Sequence, residues 1–167
     1  MATAVLGVWI GITLFMWFAA ARSFSTVERV LQSQNPQFLK ITKPLSSSDT
    51  RELLRNAAAE INRSLFGVYG WAQLALGAVM LALLLWQTPR DSFAIAIACM
   101  MLVFVLILTL VITPQILSVG RSLDFVPRNP APPDLARFGM LHGAYTALDG
   151  IKLLAGLGLL VRRIMRG

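Results

Sequence analysis

Four long apolar blocks, separated by polar stretches, organise the chain: residues 3–21, 65–87, 93–119 and 136–161. Each is long enough to cross a hydrocarbon core of about 30 Å, which takes about 20 helical residues. The pattern predicts an all-α, integral membrane, antiparallel four-helix bundle forming one domain over residues 1–167. Between the first two blocks, Phe24, Val27, Val30 and Leu31 keep helical spacing, so the first helix continues beyond the membrane as an amphipathic one. Asn35-Pro36 ends it, and the run from Lys43 to Ser48 reads as a linker. Asp49 then has the character of an N-cap, with Glu52 at the capping-box position. Leu53, Leu54, Ala57, Ala58, Ile61 and Leu65 follow on one face, and no proline intervenes before Pro89. One helix over residues 50–86 is predicted, with a cytoplasmic extension ahead of its membrane half.

The segment from Gln87 to Asp91 reads as a tight turn. Pro114, late in the third span, removes a helix hydrogen bond at the Leu110 carbonyl and marks a kink. Thr109, Thr113 and Gln115 are the neighbours that can re-satisfy the freed group. Pro127, Pro130, Pro132 and Pro133 make residues 121–133 a stiff, extended connector, and Asp134 is placed to cap the fourth span. The two halves also align as a tandem repeat, with Phe66-Gly67 matching Phe138-Gly139. In that register Gly77 takes the position of Asp149, and Met80 that of Lys152.

Composition agrees with the blocks: 56% of the 167 residues are hydrophobic and 14% are charged, against about 25% charged in soluble domains. The net charge of +7 does not point to nucleic acid, because the basic residues flank apolar blocks. An anionic leaflet is the simpler partner. Lys and Arg are concentrated in the first and third connections, which places both in the cytoplasm and both termini outside, in a bacterial inner membrane. The basic C-terminus, with Arg162, Arg163 and Arg166, opposes that orientation. The single Cys99 excludes an intrachain disulfide.

The fourth span carries His142, Asp149 and Lys152, and an ionisable group inside a bilayer usually has a partner or a purpose. Asp149 and Lys152 are spaced i, i+3, and a helical side chain leans toward its own N-terminus, so Lys152 reaches back to Asp149. His142 lies seven residues before Asp149, on nearly the same side, with Thr146 between. His142, Thr146, Asp149 and Lys152 therefore form the candidate polar cluster, either a self-neutralising structural pair or a proton or ion relay. Two small-residue stripes, Gly7 with Gly11 and Gly139 with Gly143 and Gly150, are candidate helix-packing surfaces. Cys99, Met100 and Met101 are soft metal donors, but consecutive helical residues point in different directions, so packing is the plainer reading. No Walker loop, CxxC pair, HExxH or GxSxG motif occurs, so neither a catalytic nor a metal site is predicted.

Arg137-Phe138, followed by Leu141-His142-Gly143-Ala144-Tyr145, resembles the transmembrane protein 205-like family of four-span membrane proteins, a domain of unknown function. A histidine near the opening of the last span and a proline late in the third, here Pro114, are the shared features. The resemblance implies the four-span fold and no settled activity, and Asp149 and Lys152 are not part of the pattern that carries it. Three functions are compatible with these features. The first is a non-catalytic accessory or assembly subunit that contacts other membrane subunits or a second copy. The second is a small transporter or ion-coupled permeation unit using Asp149 and Lys152. The third is a redox protein holding haem through His142, although the chain has no second histidine to complete an axial pair. Beyond a haem or a bound lipid, no cofactor is implied.

Overall fold

A computed structural model describes residues 1–126 and 130–166. Six helices make up the described chain: α1 (Ala2–Leu31), α2 (Pro36–Thr42), α3 (Ser47–Trp86), α4 (Ser92–Ile107), α5 (Thr113–Ser122) and α6 (Asp134–Arg166). A π-helical turn, Leu108–Ile112, joins α4 to α5 in one continuous rod. Four helical rods are thus long and apolar enough to cross a membrane, in the four regions that the apolar blocks predict.

Helix starts depart from the expected caps. Ser46, not Asp49, is the N-cap of α3, and its side chain accepts from the Asp49 amide at 3.0 Å. The helix therefore starts at Ser47, and Asp49 sits in its first turn, where a negative charge faces the positive helix end. The serine run that composition marks as linker supplies this cap. Asn35-Pro36 follows the end of α1 and also opens the short helix α2, with Asn35 accepting from the amides of Gln37 and Phe38. α5 runs to Ser122, so the connector to α6 starts later than expected; its Pro127 and Arg128 lie outside the described residues.

Pro114 distorts its helix in a definite way. With no proline N–H available, the Thr113 amide bonds back five residues to the Leu108 carbonyl, widening the turn before the ring. The Gln115 side-chain amide donates to the Val111 carbonyl at 3.0 Å, not to that of Leu110. Thr109 does not serve as a substitute donor: its hydroxyl is buried without a partner and packs against Gly70.

Two apolar clusters hold the rods together. One joins Leu6, Trp9 and Ile10 of α1 to Met80 and Leu84 of α3, Ala98, Met101 and Val105 of α4, and Leu153 and Leu159 of α6. The other joins Met16, Tyr69, Leu108, Ile112 and Tyr145. Tyr145 meets Phe66 edge to face, with ring centroids 5.4 Å apart. The glycines that permit close approach are Gly70, Gly77 and Gly156. A Cβ at these positions would lie 2.8 Å from Thr109, 2.6 Å from Leu102 and 3.1 Å from Met101 respectively. Gly7, Gly11, Gly139 and Gly143 meet no atom within 4 Å of an added Cβ, so these four positions seat no helix among the described residues. Gly150 only touches Trp17, at 3.7 Å.

Ion pairs tie the rods at each end. Arg63 donates to the Gly120 carbonyl at 3.1 Å and to Asp124 at 2.6 Å, fastening α3 to the end of α5. At the other end Arg162 grips Asp91 through both guanidinium nitrogens at 2.6 and 3.0 Å, and stacks over the Phe93 ring. Arg162, helped by the Ala94 amide, holds the Asp91 carboxyl well below its ordinary 3.8, at about 2. A depressed carboxylate stabilises the fold above its unfolded pKa and loses that contribution as pH falls. Acid titration of thermal stability is therefore expected to show a loss between about pH 4 and pH 2 that Asp91→Asn removes.

Candidate functional site

The polar centre is built by three helices. α1 contributes Trp9, Thr13 and Trp17, each four residues from the next and so stacked on one face. α3 contributes Tyr69 and Gln73, again four apart. α6 contributes Asp149 and Lys152. Lys152 Nζ lies 2.6 Å from Asp149 Oδ1, and the two residues are 1% and 0% exposed.

The remaining hydrogen bonds match the charged pair donor for acceptor. Trp17 Nε1 donates to Asp149 Oδ2 at 2.7 Å, and the Tyr69 hydroxyl donates to the same oxygen at 3.2 Å. Asp149 is thus surrounded by donors, as an ionised carboxylate requires. Lys152 Nζ donates to Asp149, to Gln73 Oε1 and, at 3.3 Å, to Thr13 Oγ1. The Tyr69 hydroxyl oxygen is a fourth, longer acceptor at 3.4 Å, so every ammonium proton has a partner. Thr13 is free to accept because its own proton goes to the Trp9 carbonyl at 3.0 Å. Gln73 Oε1 takes a second proton from Trp9 Nε1 at 3.1 Å, which fixes the amide and leaves Gln73 Nε2 as the cluster's one buried orphan. The Lys152 ammonium also lies 5.5 Å from the Tyr69 ring centroid.

Little room remains for anything else. The space beside Lys152, bounded by Trp9, Ile10, Thr13, Met101 and Leu153, does not admit a water molecule. Trp17, which bonds to the Asp149 carboxylate, is itself 39% exposed. Its indole N–H is a donor only and cannot pass a proton onward. Trp17→Phe removes one hydrogen bond to a buried charge, and a loss of about 1.5–3 kcal/mol in unfolding free energy is expected in detergent. A Trp17→Phe protein as stable as wild type would show that this bond contributes nothing.

His142 and Thr146 stand apart from the pair. His142 is exposed and stacks on Phe138, with parallel rings 6.0 Å apart, and exposed Thr146 donates back to the His142 carbonyl at 2.9 Å. The sequence spacing places His142 on nearly the side of Asp149, yet the two do not meet. The lean toward the N-terminus that brings Lys152 onto Asp149 carries His142 onto Phe138, away from it. A continuous His142–Thr146–Asp149 line is therefore absent among the described residues. The partners that sequence reasoning missed are Trp9, Thr13, Trp17, Tyr69 and Gln73. Their i, i+4 repetition on two apolar helices was the available signal. Cys99 is exposed whereas Met101 is buried in the core, so the consecutive sulfur residues do not converge. No protein-family model matches the chain, and neither a curated protein nor a solved structure matches it.

Proposed function

We propose that the chain is a non-catalytic four-span membrane protein, an antiparallel bundle that serves as an accessory or assembly subunit of a larger membrane complex. The observation that carries this reading is the sealed Asp149–Lys152 pair, in which the ammonium and carboxylate are fully engaged within three helices. Depth supports it. Thr13, the partner of Lys152, is ten residues from Thr3 and nine from Arg22, about 15 and 14 Å along the helix, which sets the pair near the bilayer midplane. At that depth an unpaired charge is most costly, and a matched pair holds α6 in register against α1 and α3. The two long connections are cytoplasmic in this account, by the excess of Lys and Arg in them, and the membrane is a bacterial inner membrane. Likeness to the transmembrane protein 205-like family remains part of the proposal, resting on Pro114 and on His142-Gly143. Purification from native membranes in a mild detergent should yield the chain with a companion protein in fixed ratio. A free monomer alone would contradict the assignment.

A transporter is the second reading, favoured by one observation: the Asp149 carboxylate is bonded to Trp17, which is itself 39% exposed. Proton flux into proteoliposomes above the empty-vesicle rate, abolished by Asp149→Asn in a folded protein, would establish it over the first. Haem binding through His142 is the third; the exposed ring would need a second chain to complete an axial pair. A Soret band in the purified protein is its direct test.

A further inference from the structure

The best unexplained surface is the tip where α1 ends, α2 folds across and α3 begins. No residue of α2 is buried. Ile41 is 72% exposed and Leu39 48%, and Leu45 after the helix is also exposed. A cleft of about 510 Å³ opens between α1 and α2, lined by Val30, Phe38 and Ile41 together with Arg29, Ser33 and Asn35. Lipid does not account for this apolar surface. α1 extends nine residues beyond Arg22, about 14 Å, and α3 starts sixteen residues before Arg63, about 24 Å. The headgroup layer is only about 6 Å deep on each side.

Charge selects the occupant. Arg29 of α1, Lys40 of α2, Lys43 just after it and Arg55 of α3 form no ion pair among the described residues; of the arginines and lysines here Arg51 alone is matched, by Glu28 at 3.2 Å. Asp49 and Glu52 lie in the first two turns of α3, where they face the positive end of that helix. We propose that this tip docks an acidic amphipathic helix of a partner protein. Apolar side chains of the partner fill the cleft between Val30, Phe38 and Ile41, and its carboxylates meet Arg29 and Lys40. This follows the helix-in-groove mode of recognition, with charge setting orientation and partner choice. The proposal rests on the accessory-subunit reading and names the partner's chemistry.

The test uses the full chain in neutral-lipid nanodiscs and an 18-residue synthetic peptide with leucine at helical a/d spacing and glutamate elsewhere. Saturable binding is expected, weakened at least tenfold by Ile41→Ser and by Arg29→Glu combined with Lys40→Glu, in variants with unchanged melting temperature. A lysine-for-glutamate peptide should bind at least tenfold more weakly. Equal binding by that peptide, equal binding to the variants, or preference for anionic-lipid vesicles over the acidic peptide would overturn the proposal. Purification of the same variants from native membranes separates the two readings. A companion retained by the variants sinks the tip as docking site and leaves the accessory role standing. A wild-type chain that carries no companion sinks the accessory role itself.

Discussion

Replacing Lys152 by methionine is expected to cost about 3–5 kcal/mol of stability, the usual effect of removing one partner from a buried ion pair. The methionine fills much of the aliphatic volume, so lost packing is a minor part of the effect. The main part is electrostatic. Asp149 would keep donors from Trp17 and Tyr69 but lose its counter-charge while remaining fully buried. Gln73 and Thr13 would also lose the ammonium they accept from. For a chain of this size the change corresponds to a fall on the order of 10 °C in thermal midpoint, read by tryptophan fluorescence in detergent. Lys152→Arg keeps the charge but brings a planar, wider fork into a space shaped for a compact ammonium, and it should recover only part of the loss.

The second large effect lies where α3 meets the π-helical turn. Gly70→Ala is expected to destabilise by about 1–3 kcal/mol, through overpacking. The added methyl would sit 2.8 Å from both Cγ2 and Oγ1 of Thr109 and 3.3 Å from its Cβ. Thr109 is β-branched and belongs to the turn that absorbs Pro114, so it has few ways to retreat. Thr109→Ala in the same chain should relieve most of the penalty, because it removes the clashing atoms and an unpartnered hydroxyl together. Gly143→Ala is the control: nothing lies within 4 Å of its Cβ, and stability should stay within about 0.5 kcal/mol of wild type. Thermal midpoints of the single and combined variants check the series, and additive losses for Gly70→Ala and Thr109→Ala would contradict the proposed contact.

These two sites show what the sequence could and could not disclose. Hydrophobic blocks with few charges mark membrane-length helices because length and apolarity are local properties, and the four rods follow from them directly. The i, i+3 pairing of Asp149 with Lys152 is equally local and legible. The partners of that pair are not, since Thr13, Trp17, Tyr69 and Gln73 reach it across 79 to 139 positions in sequence. Helix rotation decides which of several polar side chains turns inward, and no spacing rule within one helix fixes it. The same limit explains the glycines. Gly7 and Gly11 share the small-xxx-small pattern but face no neighbour, whereas Gly70 and Gly77 lack a conspicuous motif and lie against α4 and its π-helical turn. His142 shows a subtler limit: seven residues nearly restore the angular position, but the side-chain lean and the axial rise carry it to Phe138 instead.

A sealed pair and a working relay differ most clearly in how their members depend on each other. A double-mutant cycle of thermal or denaturant unfolding with Asp149→Asn, Lys152→Met and the two combined measures that dependence directly. In the double variant the asparagine amide oxygen can still accept from Trp17 and Tyr69, and the methionine leaves no buried charge behind. A closed structural lock therefore predicts a double variant no less stable than either single one. The coupling should then be at least as large as the larger single loss, on the order of 3–5 kcal/mol. Two losses that simply add, giving a double variant far less stable than either single one, would contradict the account that Asp149 and Lys152 act as one buried structural unit.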